Sequence, residues 1–127
     1  MKLNHDCVRA VMLHVEENLS YGFYIDFSDV EIDDFSHGEI LYAADKLIEA
    51  GYFNGNSQKY INSPEPSVRV TSLTWEGHQF LDNIRDDGVW KDTKKVLAKF
   101  SSTSLSFVGN IASQIITSLV QKQLGLL

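Results

Sequence analysis

A single cysteine, Cys7, occurs in 127 residues, so no intrachain disulfide can form. A reducing, cytoplasmic compartment is the simplest expectation. The opening Met1-Lys2-Leu3-Asn4-His5-Asp6 lacks a basic segment followed by an apolar one, so no secretory leader is expected. Nor is there an unbroken apolar run of the ~20 residues that a membrane helix needs. The least charged stretch is interrupted by Ser104, Ser106, Asn110, Ser113, Gln114, Thr117 and Ser118, and no membrane partner is expected. Phosphate-binding glycine loops, nucleophile elbows and dinucleotide fingerprints are missing too. The acidic run Asp26, Asp29, Glu31, Asp33 and Asp34 lacks the glycine and terminal glutamate that a calcium loop requires. It reads as a solvated face helped by a helix dipole.

Other chemistry-bearing residues do not assemble into a site. His5 and Cys7 lie two apart, which turns them to different sides of a helix, and His14 does not complete a zinc set. Cys7 reads as a small, partly buried thiol. His78 and Asp82 stand four apart and could hydrogen-bond, but no nucleophile or substrate motif accompanies them. The expectation is therefore a non-enzymatic protein with no catalytic residues, no metal and no cofactor.

What is present is enough for a core: 43% of residues are apolar and 11% aromatic. The net charge of −6 is unevenly spread. Residues 1–90 hold six Lys/Arg against sixteen Asp/Glu, a balance of −10; residues 91–127 hold five lysines against Asp92, a balance of +4. An acidic body repels phosphate.

Apolar spacing predicts an amphipathic helix from Asn4 to Leu19 through Val8, Val11, Met12, Val15 and Leu19. Phe23-Tyr24-Ile25 is expected as a short strand. Two capping boxes follow, Ser28/Glu31 and Ser36/Glu39, with Phe27/Ile32 and Phe35/Ile40 as hydrophobic staples. They predict a second helix over 28–34 and a third over 37–50, closed by Gly51. The two prolines, Pro64 and Pro66, mark a loop before an alternating strand, Val68–Leu73. Thr74 can cap a fourth helix, Trp75 to Asp87, which Gly88 stops; Trp75 is expected to cover the edge of the core. Three helices, a two-stranded hairpin and a following helix predict a mostly helical α+β fold, a winged-helix-like domain over 1–88. Residues 89–127 are expected as a C-terminal helical extension: a lysine-bearing helix over 90–100, a hinge at Ser101–Ser104, and a long helix over 105–124 that carries no charge before Lys122.

Several segments resemble one family. They are Met1-Lys2-Leu3-Asn4-His5-Asp6-x-Val8-Arg9, Ile40-Leu41-Tyr42, Leu47-Ile48-Glu49-Ala50-Gly51 and Leu73-Thr74-Trp75-Glu76-Gly77-His78-Gln79-Phe80-Leu81-Asp82-Asn83-Ile84-Arg85-Asp86. Together they resemble the domain of unknown function 2513, small uncharacterised proteins of Gram-positive bacteria and their phages. The resemblance covers roughly residues 1–100. It implies a winged-helix-like fold and a phage or prophage setting, and it brings no activity.

In a winged helix the third helix usually enters the major groove of DNA. Here its outward face, with the hairpin, would show His37, Glu39, Tyr42, Asp45, Lys46, Glu49, Lys59 and Arg69. Acids outnumber cations on the helix, the wrong balance for phosphate neutralisation. The expected role is a protein-interaction module that binds a protein partner, such as a host factor, through this face. It would self-associate as a homo-oligomer through Leu105, Val108, Ile111, Ala112, Ile115, Leu119 and Val120. A DNA-binding transcriptional regulator is the alternative that the charge disfavours.

Overall fold

The computed structural model describes residues 1–126. The chain is α+β, and its described residues form five helices and one three-stranded antiparallel sheet. It divides into two compact units, residues 1–79 and 80–127.

The first unit opens with α1 (His5–Asn18), capped by Asn4, whose side chain accepts from the Cys7 N–H. Its predicted stripe is buried as far as Val15, with Val8, Val11, Met12 and Val15 all at most 1% exposed, whereas Leu19, the last of the stripe, lies just past the helix as its C-cap and is half-buried. The strand expected at Phe23–Ile25 is reduced to β1 (Ile25–Asp26). The second helix expected over 28–34 does not form. A single 3-10 turn, Phe27–Asp29, takes its place, capped by Asp26 instead of Ser28. Seven residues cannot repay helix nucleation, and Asp29 and Asp33 would repel at helical spacing. The chain instead extends at Val30, burying it with Phe27, and Asp34 adopts a left-handed φ of 76°.

The other capping box is made in full. Ser36 Oγ accepts from the Glu39 N–H, and the Glu39 carboxylate accepts from the Ser36 N–H. It starts α2 (His37–Glu49), which buries Ile40, Leu41, Ala43, Ala44 and Leu47. The hairpin follows as β2 (Phe53–Gln58) and β3 (Ser67–Leu73). β3 is central, with β1 and β2 on its two sides, and its alternation buries Val68 and Val70. A bulge between Asn54 and Gly55 lets the strands approach so closely that a Cβ at Gly55 would lie 2.1 Å from the Arg69 carbonyl oxygen. α1 and α2 pack on each other and on β3. Helix, short strand, helix and hairpin is an order compatible with a winged helix whose second helix has shrunk to one turn.

Helix α3 (Trp75–Ile84) carries the chain from the first unit into the second. It ends three residues earlier than expected, and Gly88 does not stop it. Asp86 is extended and its carboxylate accepts from the Val89 N–H at 2.9 Å, which caps a new helix, α4 (Asp87–Leu97), with Gly88 inside its first turn. α4 buries Val89, Trp90, Thr93 and Leu97, the Thr93 hydroxyl donating to the Val89 carbonyl at 2.7 Å. Residues 101–104 are non-helical, and Ser104 caps α5 (Leu105–Gln123), which packs on α4. Among the described residues no helix is long and apolar enough to cross a membrane.

Candidate interaction surfaces

The outward face of α2 is tied up by neighbours. His37 Nε2 sits 3.4 Å from Glu65 in the hairpin loop. Glu39, already closing the capping box, also accepts from Asn4 Nδ2 at 3.2 Å. The Tyr42 hydroxyl donates to the Met1 carbonyl at 3.2 Å. Lys46 lies over the Tyr42 ring, 5.4 Å from its centroid, and is paired with Glu49, which raises its pKa. On the hairpin, Arg69 meets Asp26 at 3.7 Å and covers the Tyr24 ring at 5.2 Å, while Lys59 is exposed on the loop. Asp45 is half-buried. The residues expected on this face thus lie together on α2 and along the hairpin. Lys46 and Arg69 each face a carboxylate, so they do not form an unopposed positive strip. Hydrogen bonds to the ionised carboxylate hold Glu39 below the usual range, the Ser36 N–H first and Asn4 second; the Ser28 N–H does the same for Asp26.

A second surface was not legible in the sequence. The end of α1, the turn after it, the end of β3 and the start of α3 enclose a groove of about 200 Å³. Val15, Leu19, Tyr21 and Leu73 give it mostly apolar walls, and Glu16 and His78 stand at its edge. The turn is ordered: the Phe23 N–H donates to the Ser20 carbonyl at 3.1 Å, and Gly22 supplies a φ of 88°. Its aromatics point outward, with Tyr21 102%, Phe23 70% and Tyr24 57% exposed. Trp75, expected at the edge of the core, is 73% exposed. The approach of the backbone decides this: Thr74 donates its N–H to the Tyr52 carbonyl at 3.0 Å and its hydroxyl to Gly51 at 2.5 Å, so the helix is docked through Thr74 and Gly77 and Trp75 turns away. The one available sequence signal was the crowding of Tyr21, Phe23 and Tyr24 around a glycine.

The third surface lies on α4 and α5. Val108 and Ala112 are buried, and Leu105, Ile111 and Ile115 are half-buried. Leu119 and Val120 are each 51% exposed, and Leu124 is 68% exposed. The expected stripe is therefore used up inside the fold at its start and open at its end. There Val89, Ile116, Leu119, Val120 and Leu124 line an apolar groove of about 420 Å³. Phe100 and Phe107 meet edge to face at 5.5 Å.

Among the described residues no three His, Cys, Asp or Glu side chains converge as a metal set. Cys7 is fully buried, and burial, with Glu39 adding to it, pushes the thiol up to about 11.

A family model described as "Hypothetical protein (DUF2513)" matches residues 2–104. An uncharacterised protein of Haemophilus influenzae is 30% identical over 124 residues, which span 94% of this chain and 99% of the relative. No solved structure matches the chain.

Proposed function

We propose, from the premise that the chain belongs to the DUF2513 family, whose description carries no activity, that it is a non-enzymatic protein-interaction module that self-associates through the open end of α5. One observation carries this reading. Leu119, Val120 and Leu124 stand exposed around an apolar groove on a helix that bears no charge from Leu105 to Gln121.

The charge pattern favours a second copy as the occupant. Two whole chains of −6 repel one another. The first unit holds five Lys/Arg against thirteen Asp/Glu, a balance of −8, and the second holds six against four, a balance of +2. Copies can therefore approach through α5, which bears no charge before Lys122 and on which both present leucine and valine. A two-fold pairing places the same patch on both partners, so one exposed stripe is sufficient. The buried Val108 and Ala112 serve the fold of each copy, and the contact belongs to Ile115, Ile116, Leu119, Val120 and Leu124. The acidic first unit takes no part in this contact and serves a further protein partner. The ion pairs of Lys46 and Arg69 weigh against the DNA-binding alternative, because they leave little cation on α2 and the hairpin for phosphate.

Sedimentation of the full chain and of a Leu119→Glu/Val120→Glu variant tests this. Both side chains are half exposed, so the variant keeps its helical circular dichroism. The wild type should sediment as a dimer or larger and the variant as a monomer. A wild type that is monomeric at the highest soluble concentration refutes the reading.

A further inference from the structure

We infer that the groove between α1, β3 and α3 docks a cationic polypeptide segment by one apolar anchor side chain, independently of any self-association through α5.

Size selects the class of occupant. Pockets for metabolites and cofactors enclose roughly 300–1,000 Å³. At about 200 Å³ this groove is below that range. It is comparable to the ~150 Å³ apolar cavity that takes up a benzene ring. One leucine, phenylalanine or tryptophan side chain is the fitting guest, and such a side chain arrives on a polypeptide.

The surroundings are those of a protein interface. Tyr21, Phe23 and Trp75 are large, exposed and held on ordered backbone, the residue types that dominate interface energetics. Trp75 and His78 are three apart on α3, hence neighbours on its surface, and His78 lines the groove. β1 pairs with β3 as Ile25↔Val70, which runs Phe23 and Tyr24 back toward Thr71 and Ser72, two residues of the groove wall. The aromatics and the groove form one surface.

Charge selects the sign of the partner. Glu16 lines the groove, Glu17 follows it on α1 and Glu76 is exposed on α3, two residues before the groove residue His78, and the unit that bears them carries −8. A basic segment is steered toward these carboxylates, whereas nucleic acid and acidic proteins are repelled.

A random peptide library selected on the full chain is the test, with affinities of recovered peptides measured at two salt concentrations. Recovered peptides should carry net positive charge around one Leu, Phe or Trp, and should shift backbone NMR signals of Val15–Tyr21, Thr71–Leu73 and His78. Tyr21→Ala, at a fully exposed position, should weaken them about tenfold. Glu17→Lys/Glu76→Lys should do the same, while Glu31→Lys/Asp33→Lys, with an identical change in net charge away from the groove, should have at most a small effect. Selection that yields no binder, or yields acidic or uncharged peptides, overturns the proposal. So do equal losses in the two charge-reversal variants. Concentration-dependent shifts at these residues without peptide would assign the groove to a second copy and overturn it as well.

Discussion

Replacing Gly77 by alanine should destabilise the protein, although alanine is the better helix former. The Cβ would lie 2.0 Å from the Tyr52 carbonyl oxygen and 3.0 Å from its carbon. Both neighbours are backbone atoms and cannot rotate away. Relieving the contact requires the first turn of α3 to move off the Tyr52 carbonyl by more than an ångström. Three hydrogen bonds share that junction: Thr74 N–H to Tyr52 at 3.0 Å, Thr74 hydroxyl to Gly51 at 2.5 Å, and Gly77 N–H to Thr74 Oγ1 at 3.0 Å. At ~0.5–1.5 kcal/mol each, their weakening costs about 2–4 kcal/mol. The helix propensity of alanine returns ~1 kcal/mol. A net loss of about 1–3 kcal/mol follows, or a fall in Tm of roughly 5–15 °C at this size. Gly38 is the internal control. It lies in the first turn of α2, where a Cβ would meet nothing nearer than Ser36 Oγ at 4.0 Å. Gly38→Ala should therefore be neutral or stabilising by up to ~1 kcal/mol. Urea melts of the two variants beside the wild type give both signs in one experiment. Equal stability of the two variants, or a gain for Gly77→Ala, would show that close approach to the Tyr52 carbonyl does not fix the start of α3.

Acid stability should depend on the α2 cap. Glu39 and Asp26 are held below their ordinary values of 4.5 and 3.8, so folding favours their ionised forms. The stability this contributes is present above those ordinary values and is lost as pH falls through the lowered ones. Asn4→Ala removes the side-chain hydrogen bond that Glu39 accepts across from the start of α1, so carbon-13 NMR should show Glu39 titrating closer to its ordinary value; an unchanged Glu39 midpoint would contradict the assignment. Cys7, buried and pushed up to about 11, should resist thiol reagents near pH 8 in the native protein and react promptly once urea unfolds it. Fast labelling of native protein would show that α1 does not seal it.

The chain itself determined its helical periodicities, the Ser36/Glu39 cap and the alternation of β3, because these depend on residues within a turn or two of one another. Its membership of an uncharacterised family was legible as well, through Leu73–Asp86 and the opening segment. Two local signals misled. Ser28/Glu31 has the form of a capping box, yet burying Phe27 and extending at Val30 outcompetes a seven-residue helix. Gly88 has the form of a helix stop, yet the Asp86 carboxylate caps a new helix across it. Which apolar residues are left over depends on packing between distant segments. Val108 and Leu119 are both aliphatic members of one helical stripe, but the first is covered and the second is open. Likewise the groove walls at Leu19 and Leu73 come from separate elements that meet only after β3 takes its place beside α1. Exposure is a property of the packed chain as a whole, since a side chain's neighbours in space are set by backbone hydrogen bonds and close approaches made far away in sequence.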